Sequence, residues 1–218
     1  MISTVLPAYK YLLEQRKLTE DTIRQFHLGY ISREGQIYVD ADFSGGIPEI
    51  DRRFHHSTMF PIFDVYGKCI AVSVRPLGPT QTKYINTAYE KSEHLYGLSE
   101  TWTECFKEQT VYVVEGNISL LQMYQAGIKN CVAMLGSKLS VRQVCLLSRF
   151  VKNIVLVPDS DKAGIKFVEK MQDNIPVKLY DADVKFTYVQ LPAGNDPDDY
   201  FKTHSKEDFL NIEKQELI

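Results

Sequence analysis

The sequence lacks the features of a membrane, secreted or zinc-binding protein. No apolar run approaches the roughly 18 residues that cross a bilayer, and the N-terminus does not join a basic region to an apolar one. Its four cysteines are scattered, without a C-x-x-C pair or a Cys/His cluster at zinc-ligand spacing. We therefore expect a cytoplasmic protein with buried thiols, no membrane partner and no zinc site in this chain.

Positive charge and the common hydrolase motifs are also missing. The net charge of −3 disfavours a protein that simply coats nucleic acid, although an enzyme could still gather acids at a metal site and bases along a groove. No G-x-S-x-G elbow, P-loop or H-E-x-x-H helix is present. Serine hydrolases, P-loop NTPases and zinc proteases are therefore not indicated.

Two different patterns divide the 218 residues. The first part predicts a helix over Leu18–Phe26, opened by Thr19 and two acids, and then short strands. Thr58–Phe63 is apolar but contains Pro61, which predicts an edge strand or a bend rather than a central strand. Cys69–Arg75 alternates apolar and polar residues, as expected of a half-buried strand.

The second part alternates short apolar strands with helices, which is typical of βαβ units around a parallel sheet. The expected fold class is therefore α/β, with an α+β N-terminal subdomain over 1–105, a parallel-sheet domain over 106–192 and a short helical tail over 193–218. The predicted strands are Val111–Val114, Cys131–Leu135, Ile154–Val157 and Lys185–Leu191, and the predicted helices are Ile118–Gln125, Val141–Arg149 and Ala163–Gln172.

Acidic residues follow two of these strands. Glu115 follows Val111–Val114, and Asp159 and Asp161 follow Ile154–Val157. Ligands of a parallel α/β sheet bind beyond the carboxyl ends of its strands. If the two strands are neighbours, three carboxylates meet there and need a cation such as Mg²⁺, which prefers oxygen ligands. The alternative is that each acid only caps the helix that follows it.

A later turn, Gly194–Asp199, is acidic as well. Asp196 and Asp198 are candidate outer metal ligands at this turn. Asp-Pro-Asp-Asp is also an ordinary way to open a helix at Tyr200, and the two roles are compatible.

Basic and aromatic residues stand together in the first part. Arg75, Lys83, Tyr84 and Asn86 combine positive charge, a ring and an amide, which suits a phosphate backbone with a stacked base. A solvated surface is the alternative for this cluster.

In order and spacing, the second part resembles the Toprim domain, in which a strand-end Glu and a D-x-D pair bind Mg²⁺. The resemblance makes Glu115 the acid closest to catalysis and Asp159 and Asp161 metal ligands, with Asp196 and Asp198 as outer acids. It rests on V-V-E-G at 113–116, Q-A-G-I at 125–128, V-A-M-L-G at 132–136 and D-S-D-K-A-G at 159–164.

The first part is similar to the core of DnaG-type bacterial and phage DNA primases, so the likeness covers nearly the whole chain. In that family the basic residues handle nucleotide phosphates and template, a role that falls here on Arg75, Lys83, Tyr84 and Asn86. The matching segments are Y-L at 11–12, F-H-L-G-Y at 26–30, M-F-P-I at 59–62 with Gly67, Arg75 with K-Y-I-N at 83–86, and H-L-Y-G-L at 94–98.

The resemblance implies a nucleotidyltransferase that makes short RNA primers on single-stranded DNA during replication. The cofactor it implies is Mg²⁺, with Mn²⁺ as a substitute. The implied substrates and partners are ribonucleoside triphosphates, a single-stranded DNA template, a replicative helicase and a separate zinc-binding module.

The sequence departs from the family at several places. The family commonly has E-G-Y-x-D after the strand, whereas Ser119 stands at the last position, so a second metal ion is expected to bind weakly. Ser57 replaces a usual basic residue, which leaves Arg53 or His56 to substitute for it. No zinc ribbon precedes the core and the chain ends soon after the Asp196 turn, as expected of a minimal or viral primase, one gene of a split system or an isolated core.

Two alternatives to a primase remain. A Toprim nuclease would use the same metal site without nucleoside triphosphates, although the R…KYIN segment argues against it. A binding module without catalysis is supported by Ser119 and opposed by the intact Glu115 and Asp159-x-Asp161. A topoisomerase is disfavoured further, because the chain has no room for strand-passage domains.

Overall fold

The computed structural model describes residues 7–40, 43, 46–80, 82–136, 138–160, 168 and 184–217. The chain divides into two compact units, Met1–Tyr89 and Glu90–Ile218, and each has a five-stranded sheet. The first sheet is antiparallel and the second is mostly parallel, which confirms the predicted fold class. The predicted three-part division, with bounds after residues 105 and 192, stays a prediction.

Two short helices open the first unit. Helix α1 (Pro7–Lys10) continues into a π-helical turn over Tyr11–Gln15, and α2 spans Glu20–Gln25. Thr19 caps α2, since its side chain accepts a hydrogen bond from a backbone amide of the first turn at 3.2 Å. The helix predicted over Leu18–Phe26 is therefore confirmed.

The strands of the first sheet lie in the order β2-β1-β3-β4-β5. They are β1 (Gly29–Ile31), β2 (Ile37–Tyr38), β3 (Ser57–Phe63), β4 (Cys69–Pro76) and β5 (Ile85–Asn86), with a 3₁₀ turn over Arg52–Phe54 before β3. Apolar residues of the 3₁₀ turn and of strands β1, β3 and β4 form one buried cluster, which contains Ile31, Phe54, Met59, Cys69, Val72 and Val74. The strand predicted over Cys69–Arg75 is therefore confirmed, but it is not half-buried, because Ala71 and Ser73 on one face are buried as well as Val72 and Val74 on the other.

Pro61 lies in the central strand of this sheet, so the prediction of an edge strand was wrong. Pro61 is opposite Val72 of β4, and the backbone groups of Val72 bond to Thr87 on the other side. The missing amide hydrogen of Pro61 therefore faces β1, which pairs with β3 only at residues 57–59. The proline is tolerated because β1 begins at Gly29, opposite Met59, and does not extend alongside Pro61.

The second unit alternates helices and strands, and its sheet has the order β10-β9-β8-β6-β7. Its described strands are β6 (Thr110–Val114), β7 (Cys131–Ala133), β8 (Asn153–Leu156), β9 (Lys185–Val189) and β10 (Lys214–Glu216). Its described helices are α3 (Leu98–Glu108), α4 (Asn117–Gln125), α5 (Val141–Leu147), α6 (Pro197–Tyr200) and α7 (Lys206–Leu210), preceded by a 3₁₀ turn over Lys91–Glu93. The helix predicted over Ala163–Gln172 lies, apart from residue 168, outside the described residues.

Strand β6 is buried on both faces. Val111 and Val113 join a core cluster with Cys105 of α3, whereas the ring of Tyr112 meets the edge of Phe209 at 5.4 Å between ring centres. Burial on both faces explains why this strand is a continuous apolar run in the sequence. No described helix is both long enough and apolar enough to cross a bilayer.

Strand β10 was not predicted. Its K-Q-E sequence is exposed throughout, but it pairs antiparallel with β9, with Lys214 opposite Val189. An ion pair of 2.6 Å joins Glu216 to Lys185, and the next residue, Leu217, is buried in the core. The position of β10 is therefore set by its pairing with β9 and by the burial of Leu217. The polar sequence K-Q-E by itself does not indicate a strand.

Replacing Ser140 by alanine is expected to lower the free energy of unfolding by about 1 kcal/mol. The Ser140 hydroxyl accepts from the Gln143 amide at 3.0 Å, and the Gln143 side chain accepts from the Ser140 amide at 2.8 Å. Urea unfolding followed by circular dichroism measures the change, with Ser148→Ala at the other end of α5 as the control. Equal unfolding midpoints for the two variants would contradict a stabilising cap.

Candidate metal and nucleic-acid sites

Glu115 and Asp159 lie beyond the same edge of the second sheet. Their strands, β6 and β8, are adjacent and parallel, with Val113 opposite Leu156. The amide of Val157 continues the pairing by donating to the carbonyl of Val113 at 2.9 Å. The condition set by the sequence, that the two acid-bearing strands be neighbours, is therefore met, and both acids follow carboxyl ends, where ligands bind in such sheets.

The surroundings of these acids fit a divalent ion. Both side chains are partly buried, and one oxygen of each, Oε1 of Glu115 and Oδ1 of Asp159, is shielded from solvent. A Cβ added to Gly116 would meet no atom within 4 Å, so there is open space beside Glu115. Carboxylate oxygens next to open space are the donors that Mg²⁺ accepts. Asp161 lies outside the described residues, and its place in the set stays a prediction.

The turn that carries Asp196 reaches the same region. The amide of Ser160 donates to the carbonyl of Asn195 at 3.2 Å, which joins the loop after Asp159 to the turn before Asp196. Asp196 caps α6, since its Oδ1 accepts from the Asp199 amide at 2.8 Å. The predicted capping role is confirmed, but the helix begins at Pro197 and ends at Tyr200 rather than beginning there. The role of Asp196 as an outer metal ligand stays a prediction.

Asp196, Asp198 and Asp199 form an acidic cluster. One carboxylate oxygen of each lies within 4.8 Å of the other two. The ammonium of Lys202 is 2.7 Å from Asp199 and 3.4 Å from Asp198. Burial lowers the pKa of Lys202, but the hydrogen bonds and charges of these two acids outweigh burial and raise it. Part of the negative charge is therefore balanced by the protein itself.

Gln122 is a polar residue that the sequence analysis missed. Its side chain is 2% exposed, and its Nε2 donates to Oδ1 of the buried Asp198 at 3.1 Å. Ser119, which stands where an acid was expected, lies one turn earlier on the same face of α4 and is buried as well. The available signal was a glutamine among apolar residues, because a buried amide needs a hydrogen-bond partner.

In the first unit, Arg75 and Tyr84 contact each other. The guanidinium carbon of Arg75 lies 5.4 Å from the centre of the Tyr84 ring, which also meets Phe60 at 6.0 Å between ring centres. Asn86 lies in β5, which pairs with the strand that carries Arg75. Lys83 is exposed. The structure thus brings Arg75 and Tyr84 together, places Asn86 on the adjoining strand and leaves Lys83 in solvent.

Two polar atoms of this group are buried without a hydrogen-bond partner, Nη1 of Arg75 and Oδ1 of Asn86. Leaving a buried donor or acceptor unsatisfied costs about 1–3 kcal/mol. A guanidinium N–H is a good donor to a phosphate oxygen, and an amide carbonyl can accept from a base. Both atoms are shielded from solvent in this structure, so a nucleotide reaches them only when neighbouring side chains move.

Arg53 and His56, which were expected to replace the basic residue that is missing at Ser57, both contact other side chains of the first unit. Arg53 forms an ion pair of 2.7 Å with the aspartate two residues before it. Nδ1 of His56 lies 3.0 Å from the hydroxyl of Tyr30, and burial, followed by the charge of Arg33, lowers the pKa of His56. A lowered pKa favours neutral His56, so Arg53 is the one of the two that carries positive charge at neutral pH.

Two family models match the chain. Residues 46–102 match the N-terminal domain of the DNA primase catalytic core, and residues 112–201 match the Toprim-like family. The solved DnaG catalytic core is 28% identical, with a TM-score of 0.78, over 93% of this chain and 71% of that one. The chain belongs to the DnaG-type primase catalytic cores. Membership in this family explains why a strand-end Glu, a later acid pair and an R…KYIN segment occur together.

Other members of the family show the same extent of likeness. A DnaG primase catalytic domain solved with bound ssDNA is 26% identical, with a TM-score of 0.79, over 96% of this chain and 72% of that chain. The DNA primase of Synechococcus elongatus is 33% identical over 208 residues, which are 93% of this chain. This chain spans 28% of the length of that relative.

Proposed function

We propose that this chain is the RNA-polymerising core of a DNA primase, which joins ribonucleotides into short primers on a single-stranded DNA template. The observation that carries the proposal is that Glu115 and Asp159 follow adjacent parallel strands in a chain of this family. The relative solved with ssDNA supports single-stranded DNA as the template. Ribonucleoside triphosphates are the second substrate.

Catalysis by such a core consists of positioning and charge stabilisation. Glu115 and Asp159, together with Asp161, would hold Mg²⁺ or Mn²⁺. In the proposed reaction the primer 3′-hydroxyl attacks the α-phosphate of the incoming nucleotide and pyrophosphate leaves. A divalent ion held by these acids would supply activation of the hydroxyl and stabilisation of the developing negative charge. The backbone of Glu115 is fixed because its carbonyl accepts a hydrogen bond from the amide of Leu135 at 3.1 Å, so the carboxylate starts from a rigid base.

The acids outside this pair have a secondary role in the proposal. Ser119 supplies no charge where the family commonly has an acid, so a second ion binds more weakly than the first. Asp196 and Asp198 act as outer acids, since the Ser160–Asn195 hydrogen bond ties their turn to the loop after Asp159.

The first unit contacts nucleotide and template through Arg75, Lys83, Tyr84 and Asn86. Arg75 and the exposed Lys83 bind phosphates, the Tyr84 ring stacks on a base, and the carbonyl of Asn86 accepts from a base. The contact between Arg75 and the Tyr84 ring and the exposure of Lys83 support this assignment. A replicative helicase and a separate zinc-binding module complete the proposed partners, and initiation without that module is slow and poorly sequence-specific.

One assay tests the proposed function against its alternatives. The protein is incubated with single-stranded DNA, labelled ribonucleoside triphosphates and Mg²⁺ or Mn²⁺, and the products are separated on a denaturing gel. A primase yields short labelled RNA that depends on both the template and the metal. Cleaved template without RNA would indicate a Toprim nuclease, and neither product would indicate a binding module.

An Arg75→Gln variant is expected to bind single-stranded DNA about tenfold more weakly, because each lost phosphate contact also reduces counterion release. The slope of log affinity against log salt concentration should fall by about one. Fluorescence anisotropy with a labelled oligonucleotide measures both quantities. Arg24→Gln, on the exposed surface of α2, is the control, and an equal loss in the two variants would contradict a specific role for Arg75.

A further inference from the structure

Helix α4 carries a buried polar residue among apolar ones. All of its residues from Asn117 to Met123 are buried, and Gln122 is only 2% exposed. A side-chain amide at such a position is destabilising unless it makes a hydrogen bond. A hydrogen bond to an acid contributes to the tolerance of an amide there.

That contact fixes the orientation of an acid from a distant part of the chain. Nε2 of Gln122 donates to Oδ1 of Asp198, 76 residues later, at 3.1 Å, and Nζ of Lys202 lies 3.4 Å from the same oxygen. Asp198 is 5% exposed. Two donors on one oxygen leave this carboxylate little freedom to rotate. Its orientation is therefore set by Gln122 of α4 and by Lys202, which lies just after α6.

Gln122 and Glu115 are linked through the same helix. α4 begins two residues after Glu115, and the rise from Asn117 to Gln122 is about 7.5 Å. Helical side chains lean toward the N-terminus of their helix, which directs Gln122 back toward the sheet edge where Glu115 lies. Ser119 occupies the same face one turn closer to that edge and contributes no carboxylate.

We propose that Gln122 is a positioning residue, which orients the Asp198 carboxylate toward the divalent ion at this edge. Ser119 stands in α4 where the family commonly has an acid. In the proposal, α4 therefore acts on the metal site by orienting Asp198 rather than by supplying a carboxylate of its own. This inference rests on the proposed function, because it requires a metal ion at the carboxyl edge of the second sheet.

Binding of Mn²⁺ to the full chain, followed by the electron paramagnetic resonance signal of the free ion, tests the inference without relying on activity. Gln122→Met keeps the length of the side chain and removes its donor. Gln122→Met and Asp198→Asn are each expected to weaken Mn²⁺ binding about tenfold, the lower end of what outer-shell partners contribute. Gln125→Met, near the end of the same helix, is the matched control and should bind as the wild type does.

A variant with both changes separates positioning from packing. If Gln122 acts through Asp198, the double variant binds Mn²⁺ no more weakly than Asp198→Asn alone, because the two changes remove one shared interaction. Wild-type Mn²⁺ affinity in Gln122→Met, even with a lower melting temperature, would mean that Gln122 only stabilises the fold. Additive losses in the double variant would likewise overturn the inference.

Failure of the proposed function gives a different result. If Glu115→Gln abolishes Mn²⁺ binding while Gln122→Met does not change it, the metal edge stands and only the role of Gln122 is refuted. If the wild-type chain binds no Mn²⁺, or Glu115→Gln leaves binding unchanged, the metal edge is refuted and the positioning role with it.

Discussion

A Glu115→Gln chain is expected to lose primer synthesis by about a thousandfold, since a metal site contributes several kcal/mol of charge stabilisation and each 1.4 kcal/mol is about tenfold in rate. The substitution keeps the size of the side chain and its place after β6, but it removes the charge that binds the ion. The rate of dinucleotide formation on single-stranded DNA at saturating Mg²⁺ measures the loss.

The fold should survive this change. Glu115 is joined to the sheet extension through its backbone carbonyl, which the substitution leaves in place, so the far-ultraviolet circular dichroism and the melting temperature should stay near the wild-type values. Glu108→Gln, on the exposed surface of α3, is the matched control and should keep full activity. Activity of Glu115→Gln equal to that of the control would refute a catalytic role for Glu115.

Asp159→Asn is expected to reduce primer synthesis by at least about a hundredfold in Mg²⁺, since the loss of an outer-shell partner already costs up to about that much and Asp159 is proposed to hold the ion directly. Asp159 is shielded at one oxygen and follows the strand next to that of Glu115, so its loss lowers the negative charge at the same edge. The metal concentration at half-maximal activity should rise, and Mn²⁺ should restore part of the rate. A titration of activity with each metal measures both effects.

The exposed Asp21 of α2 provides the control for this variant. Asp21→Asn changes one exposed carboxylate of the first unit into an amide, and its metal dependence should equal that of the wild type. If Asp159→Asn lowers the maximal rate without any change in the metal requirement, Asp159 acts in some way other than holding the ion.

The sheet edge that carries Glu115 and Asp159 could be predicted because its signals are local in sequence. Val111–Val114 and Ile154–Val157 are apolar because both of their faces are buried. The first run is followed by the charged Glu115 and the second by Pro158, and neither residue type suits the interior of a buried strand. The ends of the strands are therefore visible in the sequence. Glu115 follows the first strand directly, and Asp159 follows the second after Pro158. The sequence could not show whether the two strands are neighbours. The structure shows that they are, because Val113 pairs with Leu156.

The parts that were missed depend on contacts between distant residues. Pro61 is compatible with a central strand only because β1 ends before reaching it, and no local pattern reveals where a neighbouring strand ends. The buried Gln122 donates to Asp198, which is 76 residues away. Lys202 balances Asp198 and Asp199, so the acidic turn is less dependent on a metal than its composition indicates.

The most direct test of this account is the position of Mn²⁺ in crystals of the wild-type chain, located by its anomalous scattering. We predict an anomalous peak bound by carboxylate oxygens of Glu115 and Asp159, beyond the ends of β6 and β8. A peak found only at Asp196, Asp198 and Asp199, or no peak at a Mn²⁺ concentration that supports primer synthesis, would contradict it.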